Sequence, residues 1–165
     1  MSKAVLISIH PEWCELIVTG SKTLELRKTR PKMEAPFRCY IYCTKPKRRP
    51  DDFGFFVNEQ KIIGEFTCDA IYSIWAGYTA NLGDDCLTFN ERESYLGTGM
   101  GYGWHITNLK IYDKPRELSE FYAKKKCDAC KRGDIPSACI YDDDCIVPAI
   151  LTRPPQSWCY VEEDE

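Results

Sequence analysis

Histidine is scarce in this chain: His10 and His105 are the only two among 165 residues. No catalytic set of a histidine with a serine and an aspartate, or with a cysteine, can be assembled from such a sequence. No apolar run approaches the roughly 18 to 20 residues needed to cross a bilayer. A basic amino-terminal region followed by an apolar stretch and a cleavage site is also missing, so the expectation is a soluble, cytoplasmic protein without membrane attachment. Internal repeats are absent, and nothing in the composition points to disorder or a collagen-like chain. The Gly97, Gly99, Gly101, Gly103 alternation is not a phosphate loop, because it lacks the Lys-Ser/Thr ending and a clear strand-to-helix setting. It is expected to be a mobile loop or a place where the backbone nears a ligand.

Cysteine, by contrast, is plentiful, with ten residues. Without a secretory signal, thiols or metal ligands are favoured over a disulfide framework. Cys14, Cys39, Cys43 and Cys68 sit in apolar-rich elements and read as small buried hydrophobes. Cys127, Cys130, Cys139 and Cys145 have spacing that suits a structural zinc, with free thiols the equal alternative. They are expected to fall in a Cys-rich insertion at about 123–152 of a single domain that spans 1–165.

Net charge is −3, but residues 22–49 hold ten Lys or Arg against Glu25 and Glu34, a local +8. Phe37, Tyr40 and Tyr42 interleave with these cations, as a phosphate backbone or nucleotide would favour. The acidity of the remainder argues against tight duplex binding.

Periodicity gives a buried strand over 3–9, a helix from Pro11 to Thr19 and a strand over Thr23 to Lys28. Pro11 suits a first helical position and Gly20 a helix stop. Strands follow at Phe37 to Thr44, with Tyr40 and Tyr42 on one face and Cys39, Ile41 and Cys43 on the other, at Lys61 to Tyr72, at Gly103 to Tyr112, with Trp104, Ile106 and Asn108 opposite His105, Thr107 and Leu109, and at Gln156 to Val161. Glu91 to Tyr95 reads as a short helix, and Arg116 to Lys126 as a short amphipathic helix with Leu118, Phe121 and Tyr122 inward. The class is α+β, a small mixed β-barrel with short flanking helices.

Lys22, Glu25 and Arg27 are the first candidates to carry chemistry. With Leu24 and Leu26 on one side of a strand, Glu25 and Arg27 share the other, and Lys22 stands near its start. The pattern Ser8-Ile9, Pro11, Ile17, then Gly20-x-Lys22-x-x-Glu25-x-Arg27 resembles the opening of the ASCH (activating signal cointegrator homology) domain, a relative of the PUA-like barrels. Phe37 to Thr44, the strand Ile62-Ile63-Gly64-Glu65 and the terminal Pro154-Pro155-Gln156-Ser157-Trp158 fit the same resemblance, the last as in phage and prophage members.

The resemblance implies a polar cleft that binds RNA or a modified nucleobase, lined by Lys22, Glu25, Arg27 and Glu65. A small bacterial branch of the family hydrolyses acetylcytidine with a Lys, Thr and Glu set. Lys22 matches its lysine and Glu65 its glutamate, but Glu25 stands at the threonine position, and a carboxylate cannot replace a hydroxyl nucleophile without changing the mechanism. Other members are ribonucleases, and an interaction protein with a vestigial cleft is a third reading. Tyr42, Trp104 and Trp158 are expected to wall the pocket, with Tyr95 and Tyr102 as further aromatics and Gln156 positioned to bond a base edge.

Overall fold

The structure is a computed structural model that describes residues 3–46, 60–77, 83–126 and 146–162. Eight strands and two α-helices follow in chain order: β1 (Lys3–Ile9), α1 (Pro11–Val18), β2 (Leu24–Arg27), β3 (Phe37–Cys43), β4 (Lys61–Ile74), α2 (Phe89–Leu96), β5 (Gly101–Arg116), β6 (Tyr122–Lys126), β7 (Ile146–Ile150) and β8 (Trp158–Glu162). Six of the strands form one sheet in the order β2-β5-β4-β3-β1-β8, and β6 pairs with β7 in a separate ribbon.

The apolar run of β1 is explained by its place. It lies between β3, parallel to it, and β8, antiparallel, with a packed layer on each face. Alternation sends Val5, Ile7 and Ile9 into a main core with Cys14 and Ile17 of α1. Ala4 and Leu6 enter a second core with Phe121, Ala123 and Leu151. β3 splits as its sequence predicts, Cys39, Ile41 and Cys43 to the main core and Tyr40 and Tyr42 to the second.

Sheet and helix content match the expected α+β class, but the sheet is open. Among the described residues β2 and β8 share no ladder. The sheet curls enough for side chains to span the gap instead: Trp158 Nε1 donates to Thr29 Oγ1 at 3.0 Å, and the Lys32 amide donates to Tyr160 Oη at 2.7 Å.

Three local readings change. Gly101 lies inside β5 rather than in a loop, two residues before the expected start of the strand at Gly103. A Cβ on Gly103 would stand 2.4 Å from Ile74 Cδ1 and 2.8 Å from Leu24 Cδ2, so glycine lets β5 pack between its neighbours' side chains. In the same strand, Asn108 takes φ 49°, which reverses the alternation: Asn108 is exposed, and Leu109 packs on the main core with Trp104 and Ile106.

Arg116 to Lys126 is not a helix. It comprises the end of β5, one 3-10 turn over Leu118–Glu120 and β6. Pairing of Tyr122 with Ile150 and of Lys126 with Ile146 satisfies that backbone from a distant segment, overriding the local helical pattern. Phe121 is inward as expected, while Tyr122 is exposed. Among the described residues, no helix is long and apolar enough to cross a membrane.

Candidate nucleic-acid cleft

The cleft begins where α1 stops. Gly20 adopts φ 78°, and the Lys22 amide then bonds back to Leu16 O at 2.9 Å, turning the chain against the helix it has just left. β2 follows as an edge strand on β5, with Glu25 opposite Trp104 and Arg27 opposite Tyr102. Leu24 and Leu26 pack with Ile74 and Leu96 in a small third core. Glu25 and Arg27 point the other way.

There they form an array with Lys22. Arg27 Nη2 lies 2.8 Å from Glu25 Oε1, and Lys22 Nζ lies 3.4 Å from Glu25 Oε2. Exposures of 3 % for Lys22, 6 % for Glu25 and 8 % for Arg27 put all three charges largely out of water. Backbone carbonyls supply the remaining acceptors: Lys22 Nζ donates to Asp85 O at 2.6 Å and Arg27 Nη2 to Ser8 O at 2.7 Å. The Lys22 ammonium also sits 5.1 Å from the Trp13 ring centroid. Arg27 Nε is buried without a hydrogen-bond partner.

These groups floor a cleft of about 930 Å³. Ser8, His10 and Trp13 line one side and Leu87, Asn90, Ser94 and Tyr95 another, with Thr44 and Pro154 to Ser157 at the rim. His10 Nδ1 and Thr44 Oγ1 share a hydrogen bond of 2.8 Å. The proline-rich rim is fixed on β1, since Ser8 Oγ donates to Pro155 O at 2.7 Å and the Ser8 amide to Ser157 O at 2.9 Å.

The α2 wall is fastened by Asp85. Its carboxylate accepts from Arg92 Nε at 2.8 Å, Arg92 Nη2 at 2.9 Å and the Leu87 amide at 3.0 Å. A capping box between Thr88 and Glu91 starts the helix. Burial opposes ionisation of Asp85, but the Arg92 and Leu87 hydrogen bonds outweigh it and hold the carboxyl below its ordinary value. A carboxyl depressed on folding stabilises the fold above its unfolded pKa, near 3.9, and that stability is lost as pH falls through the lower folded value. Urea unfolding from pH 6 to pH 3 should therefore show a steeper acid loss in the wild type than in Asp85→Asn, which starts less stable.

Of the residues predicted for the site, the structure brings together Lys22, Glu25, Arg27 and Gln156, along with Tyr95. Glu65 is elsewhere. It pairs with Tyr40 on the face of the second core, opposite the face that carries Glu25, and accepts a hydrogen bond from Tyr112 Oη at 2.5 Å. Burial and this carboxylate push the Tyr112 hydroxyl well up. Tyr42 belongs to the second core. Trp104 is fully buried in the main core, with its ring 5.8 Å from Phe37 and 5.7 Å from Trp158. Trp158 packs on that core and bonds Thr29, outside the cleft lining.

His10, Trp13, Thr44, Asn90 and Ser94 were not singled out from sequence, and Ser8 only as part of the family pattern. Ser8, His10 and Thr44 meet because β1 and β3 are parallel neighbours whose carboxyl ends stop together, the Thr44 amide bonding Ile9 O at 2.9 Å. No local pattern encodes that pairing.

The proposed zinc ligands Cys127, Cys130, Cys139 and Cys145 lie outside the described residues. Among the described residues no cluster of three or more His, Cys, Asp or Glu could hold a metal ion. Cys14, Cys39, Cys43 and Cys68 are free and buried. Burial first, then Asp69, pushes the Cys68 thiol up to about 12.

A family model for the ASCH domain matches residues 7–127. The chain therefore belongs to the ASCH domain family. An ASCH domain-containing ribonuclease from Zymomonas mobilis is 32 % identical over 76 residues, which is 46 % of this chain and 47 % of that protein. The chain thus spans about half the length of this curated relative. The crystal structure of an ASCH protein from Zymomonas mobilis superposes with a TM-score of 0.60 at 20 % identity, covering 97 % of this chain and 88 % of that one. A single-residue variant of that protein gives 0.54 over 98 % of this chain and 92 % of its own, also at 20 % identity. The likeness to these structures is one of fold.

Proposed function

We propose that the cleft binds single-stranded RNA or a modified nucleobase within RNA, in the manner expected of a prophage-type bacterial member of the family. The observation that carries this reading is the buried Lys22, Glu25, Arg27 floor with its unpartnered Arg27 Nε. Two cations against one carboxylate make the floor itself positive, and the other carboxylate of the lining, Glu91, is held in the capping box of α2. An anionic or carbonyl oxygen of the ligand would satisfy the orphan donor, whose desolvation otherwise costs about 1–3 kcal/mol. Trp13 and Tyr95 offer ring faces for a base, and Gln156 an amide for its edge.

Fluorescence anisotropy with labelled single-stranded RNA tests this. Affinity should fall between 50 and 200 mM salt as counterion release requires. Arg27→Lys keeps the charge but loses the planar fork, and should weaken binding by about tenfold or more. Unchanged affinity in Arg27→Lys and Lys22→Gln would remove the cleft from the account.

A second reading, cleavage of the bound RNA, is favoured by the ribonuclease relative and by His10, which lines the same cleft as Lys22. Loss of full-length RNA on incubation, slowed in His10→Gln while binding persists, would support it. Hydrolysis of acetylcytidine is disfavoured. Glu25 occupies the hydroxyl position, and Glu65 faces away from Lys22 across the sheet. Absence of binding to any RNA at low salt would favour a vestigial cleft serving protein contacts.

A further inference from the structure

We infer that Lys28, Arg30 and Lys32, with Tyr95 and Tyr102, form a second subsite that takes the nucleotides flanking the one held in the cleft; this rests on the RNA reading above. Leaving β2, the chain places four cations in the six residues from Arg27 to Lys32 and no acid. Arg27 turns into the cleft, while Lys28, Arg30 and Lys32 are exposed. Among the described residues none of these three has a carboxylate partner within ion-pair distance. A free, clustered charge of one sign is suited to an external polyanion.

The segment is also held in place. Trp158 Nε1 bonds Thr29 Oγ1 at 3.0 Å, Tyr160 Oη accepts from the Lys32 amide at 2.7 Å, and Pro31 is buried between these anchors. Both anchors come from β8, so the cations stand on a fixed ledge, and ordering it on binding costs little.

Two rings tie the ledge to the cleft. Lys28 Nζ lies 5.2 Å from the Tyr95 ring centroid, and Tyr95 is itself part of the cleft wall. The Arg30 guanidinium lies 5.9 Å from the Tyr102 centroid, and Tyr102 stands opposite Arg27 in the β2–β5 ladder. A strand leaving the cleft past Tyr95 would meet alternating cations and rings, the pattern that binds phosphates and stacks bases together. Aromatic interleaving favours single-stranded RNA over an acidic peptide, which has no use for the rings.

The test compares cytidine 5′-monophosphate, which reaches only the cleft, with a single-stranded RNA of about six nucleotides, within the site size of small single-strand binders. In Lys28→Gln/Arg30→Gln the monophosphate should bind as in the wild type. The oligonucleotide should bind about fivefold or more weakly at 50 mM salt. Its log–log salt slope should drop by about 1.4, two single-strand phosphate contacts at about 0.7 each. Lys28→Arg/Arg30→Lys should retain both values. Monophosphate binding with an oligonucleotide affinity and slope unmoved by the double variant would overturn the subsite and leave the cleft reading standing. A wild type that binds neither ligand would overturn both. Polyglutamate displaced from the ledge as strongly as RNA, with equal loss in the double variant, would overturn the RNA assignment in favour of an acidic protein partner.

Discussion

Glu25→Ala is expected to lower folding stability by about 3–5 kcal/mol, the range seen when one member of a buried ion pair is removed. Among the described residues Glu25 is the only acidic side chain that pairs with Lys22 or Arg27, and its removal leaves two cations at 3 % and 8 % exposure with backbone carbonyls and the Trp13 ring for partners. Urea unfolding at neutral pH measures the loss. Glu25→Gln separates charge from shape: it keeps an acceptor in place, should cost less, and raises the charge of the cleft floor. RNA affinity per folded molecule should therefore rise in Glu25→Gln even as stability falls. A loss under about 1 kcal/mol in Glu25→Ala, the scale of an exposed pair, would mean that water reaches these charges freely.

Trp104→Ala is the second large effect. The ring is fully buried between Phe37 and Trp158, in a core that also holds Phe66 and Ile106. Large-to-small changes at such positions cost about 3–5 kcal/mol. For a chain of this size that lowers the melting temperature by roughly 6–20 °C. Because Trp104 does not line the cleft, RNA affinity measured well below the transition should stay near the wild-type value. A stable variant with lost affinity would instead make Trp104 a ligand contact.

The contrast between Trp104 and Lys22 shows what the sequence conveys. Parity along a strand is local, so the separation of Leu24 and Leu26 from Glu25 and Arg27 was legible, as was the split of β3 between two cores. Gly20 and Pro11 mark the ends of α1 through backbone chemistry that any sequence displays. Which face of a sheet meets a cavity is not local. Glu65 lies on a strand with a recognisable motif, yet successive register shifts in β4 and its pairing with Tyr40 turn it to the far face. Trp104 beside a glycine run read as a pocket wall, whereas Gly101 and Gly103 receive the third-core side chains of Leu24, Ile74 and Leu96 on one face of β5 and the indole enters the main core on the other.

Long-range pairing accounts for the other differences. The helical spacing of Leu118, Phe121 and Tyr122 gave way to a 3-10 turn and a ribbon from Tyr122 with residues twenty or more positions downstream. His10 and Thr44 reached the cleft through the parallel β1–β3 ladder, and the open edges of the sheet follow from strand order, which no window of sequence contains. Composition did locate the basic segment, and the structure adds that part of it is anchored on β8 beside the cleft.

The most direct test of the account is an amide-detected NMR titration of the full chain with single-stranded RNA. Shift changes should gather on Ser8, His10, Lys22, Arg27, Tyr95 and Gln156, which share one cleft, and leave Glu65 and Tyr112 on the opposite face unmoved. Changes centred on Glu65 and Tyr112, with the cleft silent, would contradict the assignment of the cleft as the RNA site.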